Sequence, residues 1–218
     1  MKTQKADIAV MAAMAAVSFT SFFTLTGGSV PAVPGVSVIV GVIWFFVSKH
    51  AGRTPFSDSG LDIRRIPKGL GSGLVWILVL LPIALDFAFI YGSRFFAPGL
   101  VPHIFERTGF VEWGSLPMLV PQLAILALGE EIAWRAFFLR RMKRHMPVAL
   151  AVVVNASLFT IGHFSAGAWD VVLFDLASVF IDATIFCVIM HKTDNAWISF
   201  ISHFACNFAS FCMIVLLR

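Results

Sequence analysis

Long apolar stretches recur between short polar turns along the whole chain, and this recurrence limits what it can fold into more than any other feature. A helix needs about 20 apolar residues to cross roughly 30 Å of hydrocarbon, and inside that layer its backbone groups must be satisfied without water. Seven segments reach or approach that length: 6–26, 31–48, 69–91, 116–139, 147–166, 169–191 and 195–217. The sequence therefore predicts an all-α fold, a polytopic transmembrane helix bundle of about seven spans forming a single membrane-embedded domain over 1–218. Only 13% of the residues are charged and 59% are apolar, whereas a soluble domain carries roughly 25% charged residues. The two sizeable loops, 49–68 and 92–115, are each too small for a core of their own. Lys2 and Lys5 precede the first apolar run as they would in a signal peptide, but no clear small-residue cleavage site follows, and 24–35 reads as a turn.

A net charge of +4 does not point to nucleic acid, because the cations sit in short loops and form no basic stripe interleaved with aromatics. They read as orientation signals. With seven spans, Lys2, Lys5, Lys49, Arg53, Arg64, Arg65, Lys68, Arg140, Arg141, Lys143, Arg144 and Lys192 fall on one side, and Arg94, Arg107 and Arg218 on the other. The imbalance predicts a cytoplasmic N-terminus and an outer C-terminus. Cys187, Cys206 and Cys212 all lie in apolar segments without a CxxC pair, so neither a disulfide framework nor a cysteine zinc site is indicated. No internal repeat is evident.

An ionisable side chain at the centre of a span costs at least about 2.5 kcal/mol, so each one asks for a reason. The fourth span carries Glu130, Glu131 and Arg135. Glu131 and Arg135 have the i,i+4 spacing, acid first, that favours an ion pair. Glu130 points about 100° away and must find its partner on another span or face a wet cavity. Asn155, Phe159 and His163 share a stripe of the fifth span, and Ser199, His203 and Asn207 one of the seventh. Counting along the helices from the basic turns brings Glu130, His163, His203 and Asn207 to roughly similar depths, which allows a shared intramembrane polar cavity. A carboxylate with an imidazole can deprotonate a water there, and a second imidazole with an amide can hold an oxyanion. There is no HExxH and no GxSxG. Asp175, Ser178 and Asp182 lie on one face of the sixth span, as a hydrogen-bonded stripe, a proton path or a substrate groove.

Three motifs, EExxxR at 130–135, FxxxH at 159–163 and HxxxN at 203–207, occur in this order on three spans. Together they resemble the CAAX-protease and bacteriocin-processing (CPBP, Abi) family of intramembrane endopeptidases. The resemblance covers about 116–217; the spans within 6–91 match only in hydrophobic character. It implies a protease like CAAX prenyl protease 2, glutamate-dependent or metal-dependent, that hydrolyses a peptide bond in a membrane-associated or lipid-anchored peptide. In that reading Glu130 and His163 activate water, Glu131 and Arg135 brace the site, and His203 with Asn207 forms the oxyanion hole. A divalent metal such as zinc, if used, would sit on Glu130, His163 and His203. The partners implied are the lipid bilayer and a peptide substrate, in a prokaryotic inner or cell membrane. Ala136 stands where the family commonly has glycine. A non-catalytic membrane binding or immunity protein, or a small proton-coupled transporter using Glu130, Asp175 and Asp182, are the alternative readings.

Overall fold

The computed structural model describes residues 2–20, 33–52 and 55–217. Most of the expected turn at 24–35, the adjoining ends of the first two expected spans, Arg53 and Arg218 lie outside the described residues. Those residues form helices without strands: α1 (Lys2–Phe19), α2 (Val33–Ala51), α3 (Gly73–Phe96), α4 (Leu100–Arg107), α5 (Leu116–Met142), α6 (Val148–Ile161), α7 (Trp169–Thr193) and α8 (Ala196–Leu217). Short helical turns at Phe56–Asp58 and Ile63–Gly69 lead into α3. Large apolar side chains, among them Ile43, Ile77, Phe87, Phe95, Ile125 and Leu173, are exposed along the helices. Such surface suits lipid and not water.

Each expected span has a helix at its place, and the helices differ in length. Among the described residues four helices, α3, α5, α7 and α8, are long and apolar enough to cross a membrane. The apolar part of α2, Gly35–Ala51, and α6 are shorter. With 14 residues, α6 extends only about 21 Å. It stops at Gly162, where the amides of Gly162 and His163 turn back to the carbonyls of Leu158 and Thr160. His163 therefore stands in the turn after α6 and not on the helical stripe expected over 147–166.

Packing follows from which faces are apolar. The second half of α5 lies at the centre, with α2, α6, α7 and α8 against it, while α3 packs on α7 and α8. Between Glu131 and Leu139, α5 widens into a π-helix, and all nine side chains of that segment are buried. Long π-helical stretches are rare and cluster at functional sites. The segment can be buried all round because other helices enclose it.

The basic residues gather at one end of the bundle and are tied there. Arg140 reaches the Asp58 carbonyl at 2.8 Å and the Asp194 carboxylate at 3.1 Å, and Arg141 pairs with Asp7 at 3.2 Å. Asp7, a costly acid near the start of α1, also accepts a hydrogen bond from Trp44 Nε1. The loop before α3 folds under the α7–α8 turn: Asn195 Nδ2 donates to the Asp62 carbonyl at 2.9 Å and Trp197 Nε1 to the Leu61 carbonyl at 3.0 Å. Asp194 takes the left-handed conformation (φ 47°) that ends α7, a backbone region acidic and amide side chains tolerate better than most. Asn195 Oδ1 accepts the Trp197 amide, capping α8. Asn195→Ala removes both the cap and the clasp, so detergent-solubilised protein is expected to lose about 1–2 kcal/mol of stability, read as a lower unfolding midpoint.

Candidate active site

The site is built from the middle of α5 outward. Glu130 ends the α-helical part and Glu131 begins the π-helical part, and their surroundings differ completely. Glu131 has no exposure and three partners in reach. One oxygen faces Arg135 at 3.4 Å and His203 Nδ1 at 3.0 Å; the other accepts Ser199 Oγ at 2.5 Å. Glu130 is one-fifth exposed, and its carboxylate stands 3.5 Å from His203 Nε2. The two adjacent carboxylates thus meet the same imidazole from different sides, one from the packed interior and one from a cavity.

Arg135 is fully buried, and none of its three guanidinium nitrogens has a hydrogen-bond acceptor among the described residues. What holds it is the Glu131 charge together with two aromatic faces: Phe159 lies 4.4 Å and Phe186 5.5 Å from the guanidinium carbon. Stacking on aromatic faces suits a guanidinium, which is weakly hydrated and planar. The same two rings also position the histidines. Phe186 stacks on His203 at 4.6 Å between centroids, and Phe159 lies 4.4 Å from His163. The phenylalanine of the FxxxH motif is therefore a support shared by the arginine and His163.

Hydrogen-bond chemistry assigns the ring nitrogens. His163 Nδ1 lies 2.9 Å from the Phe159 carbonyl. A carbonyl only accepts, so Nδ1 carries the proton and Nε2 is left free. His203 Nδ1 faces the Glu131 carboxylate in the same way, which turns its Nε2 toward Glu130. A cavity of about 1180 Å³ is lined by Glu130, His163, His203 and Asn207. Glu131 and Arg135 stand behind its wall. Asn155, expected to face inward with the histidines, does not: its amide donates to the Trp134 carbonyl at 2.9 Å and accepts from Cys187 Sγ, joining α5, α6 and α7. Trp134 lines the cavity and packs on Phe138 and Phe159.

The acidic stripe on α7 is split between two sets of partners. Asp175 is bound by Arg107 at 3.1 Å and faces His103 at 3.5 Å, both on α4, a helix inside what the sequence presents as an outer loop. Ser178 donates to the Asp175 carbonyl within the helix. Asp182 meets Asp86 of α3 and Cys206 of α8, with the ligand atoms of all three within 4.8 Å of one another; Ser210 also donates to Asp86. Asp86 escaped the motif-based reading, although a lone acid in a 24-residue apolar helix carries the same signal of expense as Glu130. Cys206 Sγ donates to Asp86 at 3.0 Å and has a packing and hydrogen-bonding role there. Among the described residues Asp86, Asp182 and Cys206 have the mutual spacing of a metal-ligand set, and Glu130, His163 and His203 do not.

The helical bundle thus has exposed apolar flanks and an acid–imidazole cluster enclosed between its helices, an arrangement that marks a candidate functional site. Residues 112–209, a little under half of the chain, match the model of the Rce1-like family, type II CAAX prenyl endopeptidases. The resemblance carried by the three motifs holds. No curated protein and no solved structure matches the chain.

Breaking a buried ion pair by removing one member leaves an uncompensated charge and costs about 3–5 kcal/mol, while removing both is far less costly. Glu131→Gln and Arg135→Met are each expected to lower the unfolding midpoint and the yield of monodisperse protein, and the double variant to recover much of both. Glu130→Gln, at the cavity wall, is expected to keep the wild-type midpoint.

Proposed function

We propose that this protein is an intramembrane endopeptidase, a single membrane-embedded unit that hydrolyses a peptide bond in a membrane-associated or lipid-anchored peptide with water activated by Glu130 and His163. The observation that carries the reading is the position of His203, with Nδ1 held by Glu131 at 3.0 Å and Nε2 turned toward Glu130 at 3.5 Å in a cavity that His163 and Asn207 also line. The match to the Rce1-like family over 112–209 supports the reaction type.

The division of labour follows from the surroundings. Water held between the Glu130 carboxylate and His163 Nε2 gives its proton to Glu130 as its oxygen attacks the scissile carbonyl. The carbonyl oxygen gains the negative charge and accepts hydrogen bonds from His203, in the form protonated on both nitrogens, and from the Asn207 amide. As the C–N bond breaks, Glu130 passes its proton to the departing amine, which leaves one new carboxyl group and one amine. Glu131 keeps the His203 ring oriented, as a buried carboxylate does for an imidazole in many hydrolases. Arg135 offsets the Glu131 charge, leaving Glu130 to serve the substrate.

A divalent metal on Glu130, His163 and His203 would supply Lewis-acid activation of the water. The donor atoms are not gathered for that purpose, since the three do not share the close mutual spacing found at Asp86, Asp182 and Cys206. The fit favours the water-activating carboxylate. A proton relay through Glu130, Asp175 and Asp182 is disfavoured because Asp175 is engaged by Arg107 and His103. The basic end of the bundle, which holds Arg140, Arg141 and the chain start near Asp7, is proposed to face the cytoplasm.

Purified protein in proteoliposomes is expected to cleave a farnesylated reporter peptide. Glu130→Gln and His163→Ala should each lower kcat by about a hundredfold or more while remaining folded, and Asn207→Ala by about tenfold to a hundredfold. Full activity in Glu130→Gln overturns the proposal.

A further inference from the structure

Arg107 is the one cation lining the cavity that the water-activating roles leave unused. It ends α4, whose strongly one-sided apolar face lays it on α7, with Leu100 and His103 buried. Its NH2 group binds Asp175 Oδ1 at 3.1 Å, and Asp175, 2% exposed, faces His103 at 3.5 Å on its other side. One edge of the guanidinium is thereby anchored to the wall. The remainder is not satisfied: Arg107 Nε is buried with no hydrogen-bond partner among the described residues. A guanidinium has five N–H donors in a planar fork, so an Arg held by one carboxylate can still take a second carboxylate. Arg107 lines the same cavity as Glu130 and His163, the water-activating pair. The other charged side chains lining the cavity are acids, Glu106, Glu130, Asp86, Asp175 and Asp182. An extended anionic peptide end entering this cavity meets one attractive pole.

We propose that Arg107, positioned by Asp175, is the subsite for a carboxylate on the substrate, placed beyond the scissile bond on the leaving-group side. This rests on the endopeptidase reading. The carboxylate is the C-terminus of the substrate or an acidic side chain near it, and recognition at a fixed distance from Glu130 sets how far from that charge the chain is cut. The same chemistry accounts for the geometry of α4: a buried acid on α7 that does no proton transfer in the reaction is needed to hold the guanidinium in place. Lysine at this position keeps the charge and loses the fork.

Three farnesylated reporters of one sequence test the idea: a free C-terminal acid, its C-terminal amide, and the amide with glutamate as last residue. Wild-type protein is expected to cleave the acid with kcat/KM about tenfold to a hundredfold above the amide, mainly through KM. The glutamate arm identifies the source, since recovery there means that a side-chain carboxylate also serves. Arg107→Gln should cleave acid and amide at one low, similar rate; Arg107→Lys should keep a reduced preference; Asp175→Asn should weaken it through KM. Wild-type discrimination retained in Arg107→Gln, or absent in wild type, overturns the proposal.

Binding provides a readout independent of turnover. A short peptide acid matching the C-terminal end of the reporter should raise the unfolding midpoint of wild-type and Glu130→Gln protein, and its amide should not; Arg107→Gln, compared with its own ligand-free midpoint, should respond to neither. Equal responses to acid and amide in wild type overturn the carboxylate subsite. Failure of every reporter to be cleaved, with acid-selective binding intact, sinks the endopeptidase reading and leaves the subsite standing.

Discussion

The site depends on one buried charge pair. Arg135 and Glu131 have no exposure, stand 3.4 Å apart, and sit where neither alone would be tolerated. Their geometry is incomplete by hydrogen-bond standards, because the guanidinium nitrogens find no acceptor among the described residues. The deficit is offset by the faces of Phe159 and Phe186. These rings also pack against the two histidines, so the pair, the aromatics and the imidazoles form one interlocked unit drawn from α5, α6, α7 and α8. A change in any member propagates to the ring nitrogens that face the cavity.

The π-helical stretch of α5 is what makes this unit fit. It begins at Glu131, one residue after the acid that faces the cavity, and every one of its side chains is buried. Two neighbouring glutamates of the same chemistry thereby acquire opposite surroundings. One is enclosed and satisfied by Arg135, Ser199 and His203; the other keeps an open side. Environment and not residue type distinguishes a bracing carboxylate from a reactive one.

Much of the site was legible in the sequence because membrane burial makes polar residues conspicuous. The Glu131–Arg135 spacing announced an ion pair, and the need of Glu130 for a partner on another span is met by His203. Helix locations were legible from apolar length, but helix ends were not: α6 stops at Ile161, so His163 is presented by a turn and Asn155 serves packing. Periodicity carries no information about where a chain turns back inside an apolar layer. Asp86 and Arg107 were missed for different reasons. Asp86 belongs to no motif, and Arg107 reads as a loop cation until α4 is seen to lie against α7. The partners of Asp175 could not be read from its own helix, since they come from a segment whose docking is a tertiary event.

The account stands on Glu130 and Glu131 having different tasks at one imidazole. An experimental structure of the Glu130→Gln variant with an uncleaved peptide bound tests this most directly. The account predicts the scissile carbonyl carbon beside residue 130 and His163, its oxygen within hydrogen-bond distance of His203 and Asn207, and Glu131 still enclosed with Arg135 and Ser199. A peptide carbonyl resting against Glu131, or a bound metal ion bridging the carbonyl and the two histidines, would contradict it.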